Sequence, residues 1–430
     1  MELNAKKALN CKLHFAKCGV FVLPLQSAYV CARTCSFIME QFFRTHDYLV
    51  EHLQAAVRRD LMDEIDWSSR MIGIKGTRGV GKTTFLLQYA KEKFGRDRSC
   101  LYINMNNLYF QGHGIAEFAG EFHKLGGKVL LIDQVFKHPD WSKELRKCYD
   151  MYPGLKIIFT GSSVMRLKEE NPELNGIVSS YNLRGFSFRE FLNLKAGTQF
   201  KAHRLDDIIK NHVQIAQEVL QQVNPLDYFQ DYVHHGFYPF FLQQRNFSEN
   251  LLKTMNMMIE VDILLIKQID LKYLAKIKKL FYLMAVQGTS APNVSQLAAE
   301  TETSRATVMN YIKYLADARL INMVYAKGDS FPKKPCRVLM HNSNLIYTIY
   351  PPRQDRQDVI DTFFVNSMWK DHVVHKGAKG WSFLVDGDIN FKVSVTEGKT
   401  RLQQDSFYAV DGLDIGHDHV IPLWMFGMIY

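Results

Sequence analysis

Apolar residues along this chain switch between two periods, and the switches predict its elements. Continuous apolar runs over residues 71–74, 100–104, 128–133 and 155–160 read as short strands buried on both faces. Between them the apolar positions recur every three to four residues. Residues 85–90 do so, Ile115, Phe118, Ala119 and Phe122 share one face of a helix over 112–124, and another helix starts near Asp140. Strands alternating with helices predict an α/β domain around a parallel sheet over 39–200. Upstream, Phe42, Phe43, Leu49, Leu53, Val57 and Leu61 predict one helix over 39–67.

The second half of the chain carries a different pattern. Residues 203–285 read as helical throughout, with few breakers before Gly236 and Pro239, and predict a helical lid over 201–285. Two short helices follow, over 294–300 and 304–315, around a turn at 301–303, with Ser304 as a natural N-cap for the second. Leu297, Ala298, Val308, Ile312 and Leu315 face inward and leave Ser304, Arg305, Thr307, Asn310 and Lys313 outward, which is helix-turn-helix patterning. Strands over 320–325 and 337–340, with a turn at 327–329, supply a wing, so a winged helix is expected over 286–340. Residues 341–430 predict a small α/β domain with a helix over 358–371 and strands over 381–385, 390–395 and 419–423.

Composition narrows the class. At 47% apolar and 23% charged the chain reads as an ordinary soluble protein, and no run of 18 apolar residues predicts a membrane span. A net charge of +9, spread over 430 residues, adds little about partners. Cys11, Cys18, Cys31 and Cys35 crowd the start while Cys100, Cys148 and Cys336 stand singly, without disulfide or zinc spacing. Isolated cysteines suit a reducing cytosol, so a cytoplasmic protein is expected. Residues 1–38 read as an extension outside the core, with Met39 opening the folded protein.

Chemistry concentrates after the first strand. Gly76, Thr77, Arg78, Gly79, Val80, Gly81, Lys82 and Thr83 run in the order Gly-x4-Gly-Lys-Thr, and Thr84 continues into a helix. In that pattern the glycines let backbone N–H groups wrap a phosphate chain, the lysine reaches the β and γ phosphates, and the hydroxyl of the threonine meets Mg²⁺, with the helix dipole adding to the pull. A nucleoside triphosphate, ATP, is therefore the expected ligand. The strand at 128–133 ends in Asp133, placed to hold Mg²⁺ together with Thr83. The strand at 155–160 ends in a polar tip, where Thr160, Ser162 and Ser163 are candidates to sense the γ-phosphate or position water, Ser162 being counted with Lys82, Asp133 and Gln134 as catalytic. An extra strand with such a tip predicts the ATPase class in which it lies between the P-loop strand and the Asp133 strand.

Three segments carry a resemblance. Asp-Gln-Val-Phe-Lys-His-Pro-Asp-Trp at 133–141, Ile-Phe-Thr-Gly-Ser-Ser at 158–163 and Leu-Arg-Gly-Phe-Ser-Phe-Arg-Glu-Phe-Leu at 183–192 resemble a prokaryotic AAA-type P-loop ATPase family close to the archaeal-type and signal-transduction ATPases. The Gly236-x-x-Pro239 turn and the last ten residues also look like that family, so the resemblance covers about residues 39–430. It implies an ATPase joined to a helical lid, a winged helix and a C-terminal restriction-endonuclease-like domain. It also implies a candidate γ-phosphate arginine at Arg184 or Arg189. One departure matters: where the family usually has Asp-Glu, this chain has Asp133-Gln134. A neutral amide orients water but takes no proton, so slow hydrolysis is implied. In the C-terminal domain the family pattern has acids at the positions of Ser382 and Lys392, and Asp386, Asp388 and Glu397 do not restore them, which implies a domain that does not cut DNA. The resulting reading is an ATP-binding ATPase whose nucleotide state is reported through a winged-helix arm. The rival is an ATP-gated regulator that contacts DNA through residues 294–325, and a homo-oligomer is a further expected partner.

Overall fold

The computed structural model describes residues 24–165, 171–243, 246–351, 355–397 and 405–430, with the side chains of the first helix described from Phe37. That helix, α1 (Pro24–Glu51), leads to β1 (Met71–Gly76), α2 (Lys82–Lys93), β2 (Cys100–Asn104), α3 (Ile115–Lys124), β3 (Val129–Asp133), α4 (Trp141–Met151), β4 (Lys156–Ser162) and β5 (Ser179–Asn182). The five strands form one parallel sheet in the order β2-β3-β4-β1-β5. β4 thus lies between β1 and β3, as the polar strand tip predicted. Register aligns the chemistry at one edge: Gly76 pairs with Ser162, Ile74 with Thr160 and Asn104 with Asp133.

Successive strand residues point to opposite faces. Ile72, Ile74, Leu131 and Ile158 enter one core with Phe85 and Leu86 of α2, while Met71, Leu130, Ile132, Ile157 and Phe159 enter another with Met39, Phe42 and Phe43 of α1 and Phe118 and Phe122 of α3. Phe85, Phe118, Phe122 and Phe159 are fully buried, and each stabilises the fold by roughly 1.5–3 kcal/mol. Both faces of the sheet are covered over β1 to β4, which is why those strands read as apolar runs, whereas β5 at the sheet edge is polar and partly exposed and carries no such signal.

The chain continues through α5 (Phe188–Ala196), α6 (Leu205–Leu220), α7 (Leu226–Asp231), α8 (Phe247–Met257), α9 (Leu274–Gln287), α10 (Val294–Glu300), α11 (Arg305–Asp317), β6 (Ile321–Val324), β7 (Arg337–Met340), α12 (Ser343–Ile349) and α13 (Arg356–Met368). The helix-turn-helix and its hairpin form as predicted, with Ser304 capping α11 through Thr307 N at 3.1 Å. The remaining strands, β8 (Val374–Lys376), β9 (Phe383–Val385), β10 (Ile389–Ser394), β11 (Ser406–Val410) and β12 (Val420–Pro422), make a mixed sheet in the order β12-β11-β10-β9-β8. Among the described residues no helix is long and apolar enough to cross a membrane.

Four expectations differ from the structure. The helix over 39–67 stops at Glu51. The chain then runs irregularly up to a single helical turn, Leu61–Glu64, because the side chain of Arg59 is drawn inward, donating to Glu190 Oε1 at 2.8 Å and to the carbonyls of Arg184 and Gly185 at 2.9 and 3.1 Å, and tertiary contacts outrank helix propensity. The division expected at Met39 falls inside α1, while the expectation for residues 1–23 lies outside the described residues. The lid over 201–285 divides near Gly236. Leu205, Ile208 and Val219 of α6 and Phe229 of α7 pack with Phe363 of α13 and the C-terminal sheet, whereas Phe237, Tyr238, α8 and α9 pack on the P-loop side with the winged helix. In the last domain β8 and β11 were not foreseen, β8 because three residues with a His and a Lys carry no strand signal.

Candidate functional site

At the end of β1 the backbone passes so close to the segment after β5 that a Cβ on Gly76 would lie 2.3 Å from the carbonyl oxygen of Leu183. Only glycine fits there. Gly79 is held at φ 86°, a left-handed conformation that glycine adopts without strain. Gly81 then leads into α2. Lys82 folds back and its Nζ donates to the carbonyls of Gly76 and Thr77, both at 2.7 Å. Burial of this ammonium pushes its pKa down to about 8, against the opposing pull of the Asp262 and Asp133 carboxylates.

Asp133, 1% exposed, is the hub of the strand tips. Its Oδ2 accepts from Thr83 Oγ1 at 2.7 Å, Tyr102 OH at 2.9 Å and Asn104 Nδ2 at 3.1 Å, and its Oδ1 accepts from Thr160 Oγ1 at 2.5 Å. Burial, and then the Asp133 charge, push the Tyr102 phenol well above its ordinary range, so it stays a donor. Thr160 accepts in turn from the backbone N–H of Gln134 at 2.9 Å, which fixes Gln134 at φ 55°. The hydroxyl of Thr160 therefore sets both members of the Asp133-Gln134 pair.

These residues surround a cleft of about 460 Å³. Arg78, Gly79, Val80, Gly81, Thr83 and Thr84 line it, as do Lys82, Asp133, Gln134 and Ser162. Gly76 contributes its carbonyl to Lys82 instead of a wall. Thr77 departs from expectation: it is buried behind the loop, with Oγ1 unpartnered, against a second cavity of about 10 Å³ shared with Arg184, Arg319 and His341. The three candidates at the β4 tip separate by role. Thr160 holds Asp133, Ser162 faces the cleft, and Ser163 turns away to donate to the Ala318 carbonyl at 3.1 Å, just past α11.

The lid contributes what sequence reasoning missed. The turn after Gly236 brings Tyr238, Pro239 and Phe240 onto the loop, so that a Cβ on Gly79 would lie 3.1 Å from Phe240 Cε1. Behind it, a π-helical turn, Met258–Ile263, delivers Asp262 into the cleft. Asp262 is 3% exposed, accepts from Arg78 Nη2 at 2.6 Å through Oδ1 and from Ser162 Oγ at 3.2 Å through Oδ2. The available signal was an acid on the apolar face of a helical run, among Ile259, Ile263 and Leu264, since a buried Asp demands a partner.

Arg184 and Arg189 do not line the cleft. Arg184 donates to the Asn366 carbonyl at 2.5 Å and stacks on Tyr430, and Arg189 donates to the carbonyls of Tyr430 and Phe200 and to Asp60. Both tie the parallel-sheet domain to the C-terminal domain. The arginines lining the cleft are Arg78 and Arg59. On α11, Arg305 and Asn310 are exposed, but Lys313 pairs with Asp317, which also lies 3.9 Å from Lys267 of the lid. In the C-terminal domain Ser382 Oγ accepts from Val393 N, Asp386 holds His372 and Val373 N, and Glu397 meets His417.

The family described as an AAA domain matches residues 68–192. Those residues form an AAA-type ATPase domain, and nucleotide binding follows from it. A domain of unknown function (DUF8612) matches residues 226–335, from α7 of the lid to the hairpin turn before β7. The chain is 27% identical to uncharacterized protein MJ1637 of Methanocaldococcus jannaschii over 305 residues, 67% of this chain and 62% of the relative. It is 25% identical to uncharacterized protein MJ1544 of the same organism over 260 residues, 58% of this chain and 55% of the relative. The chain thus spans less than two thirds of either relative. Among solved structures, the Aeropyrum pernix ORC1 protein in complex with DNA aligns at 12% identity and a TM-score of 0.30, covering 76% of this chain and 92% of that one. AMPPCP-bound DnaA from Aquifex aeolicus aligns at 15% identity and a TM-score of 0.23, covering 60% and 85%.

Proposed function

We propose that this protein binds Mg-ATP in the cleft, hydrolyses it slowly and passes the nucleotide state to its winged helix. The adjacent serines at the end of β4 carry the reading: Ser162 faces the cleft while Ser163 holds the end of α11 through Ala318. A shift of that strand tip on meeting a γ-phosphate displaces the helix end with it.

The donor set fits Mg²⁺, which prefers oxygen ligands: the Thr83 hydroxyl and the Asp133 carboxylate already touch within the lining of the cleft. When bound, the ion neutralises charge on the β and γ phosphates. Lys82 leaves the two loop carbonyls to meet the phosphates, an exchange of neutral acceptors for anionic ones that strengthens its hydrogen bonds. Gln134 orients water without accepting its proton. Calorimetry with Mg-ATP tests the site: the wild-type protein binds and Lys82→Ala does not, whereas equal affinity in the two contradicts it.

The rival, an ATP-gated DNA-binding regulator without useful turnover, draws on the exposed Arg305 at the start of α11 and Asn310 further along it. The pairing of Lys313 with Asp317 counts against it, because it removes one of two basic residues from the reading face. ATP-dependent retention on duplex DNA with no phosphate release would favour the rival.

A further inference from the structure

The Asp133-Gln134 pair leaves the cleft without the carboxylate that ordinarily takes a proton from water. Among the described residues lining the cleft there are two acids, Asp133 and Asp262. Asp133 is committed: its two oxygens accept four hydrogen bonds from Thr83, Tyr102, Asn104 and Thr160. Asp262 is differently placed. Its Oδ1 accepts from Arg78 and its Oδ2 has one partner, the Ser162 hydroxyl at 3.2 Å, so that an Oδ2 lone pair remains unused. It reaches the strand-tip side of the cleft, beside the loop that carries Lys82, and it comes from a π-turn, a helix irregularity that recurs at functional sites.

We propose that Asp262 of the lid is the general base of ATP hydrolysis, in place of the acid missing at Gln134. This rests on the reading of the cleft as an ATP site. Water held between Gln134, Ser162 and Asp262 attacks the γ-phosphorus. Its O–P bond forms as the β,γ-bridging P–O bond breaks, ADP leaves with the electron pair, and the water's proton passes to Asp262 Oδ2. Because the base arrives on the lid, hydrolysis is possible only with the lid seated on the loop, and slow turnover follows from that requirement.

The test compares single-turnover hydrolysis and affinity for a non-hydrolysable ATP analogue in the full chain. Asp262→Asn is expected to lower the rate by about 10² to 10⁴-fold, the usual contribution of one positioned base, while analogue affinity changes less than about threefold. Gln134→Glu added to Asp262→Asn is expected to recover at least tenfold of the loss. Asp262→Ala is also assayed with added small carboxylates of graded basicity, and a rescued rate that rises with the pKa of the carboxylate is a response that mere pairing with Arg78 would not give. A rate in Asp262→Asn equal to or above wild type would overturn the proposal and make Asp262 a latch that merely occupies Arg78. A wild-type protein that binds the analogue but releases no phosphate would also overturn it and leave the binding site standing. One that binds no nucleotide would overturn the site itself.

Discussion

Thr160→Val removes one hydroxyl from a residue that is 0% exposed while keeping the side-chain shape. That hydroxyl donates to the Asp133 carboxylate and accepts from Gln134 N. A hydrogen bond to a charged group is worth about 1.5–3 kcal/mol, and an unpaired N–H at a partly buried site adds about 1 kcal/mol. The added methyl recovers about 0.8 kcal/mol of apolar burial. The expected net loss is about 2–3 kcal/mol, concentrated in β3 and β4. Amide exchange of those strands measures it locally, which matters in a chain of several packed units where one unfolding midpoint mixes transitions. Thr160→Ser, which keeps the hydroxyl and loses only a methyl, is expected to lose about 0.5–1.5 kcal/mol. Mg-ATP affinity is expected to fall in the valine variant and to survive in the serine one. A loss below about 0.5 kcal/mol for valine, or equal damage from serine, would refute the role given to this hydroxyl.

Gly79→Ala is expected to weaken ATP affinity and to cost about 1–2 kcal/mol, because φ is 86° and the new Cβ would press on Phe240; unchanged affinity by calorimetry would show that the lid turn does not rest on the loop. His46, whose Nδ1 accepts from Tyr102 N, and His341 are both held neutral by burial, His341 also by Arg319 and Arg184. Their lowered pKa values mean that stability is full above pH 6.5 and falls below it, by at most about 1.4 kcal/mol per pH unit for each, so denaturation at pH 7.5 and 5.5 should differ and a flat profile would count against both. The C-terminal domain is expected not to cleave plasmid or single-stranded DNA with Mg²⁺ or Mn²⁺, and cleavage lost in Asp388→Asn would reverse that.

The parts of the site that sequence makes legible are local ones. The P-loop announces itself because one strand, one turn and one helix start hold every group, Asp133 because it ends an unbroken apolar strand, and β1 to β4 because strands buried on both faces read as apolar runs. Asp262 meets Arg78 across 184 residues and Ser162 across 100, so no window of sequence contains the contact. Arg59 breaks a helical pattern for the same reason: its partners, Glu190 and the carbonyls near Arg184, lie more than a hundred residues on. Arg184 and Arg189 have a charge and position compatible with phosphate, yet Arg184 is taken up by the Asn366 carbonyl and the Tyr430 ring and Arg189 by the Tyr430 carbonyl, contacts that only the packed C-terminal domain reveals.

Hydrogen exchange of the full chain with and without Mg-ATP bears most directly on coupling between cleft and winged helix. Added protection is expected at the loop and α2, at the lid turn near Pro239, at the Met258–Ile263 turn, and also at the end of α11 near Ala318, with the last change lost in Ser163→Ala. Protection confined to the loop and α2, with α11 exchanging identically in both states, would contradict the coupling.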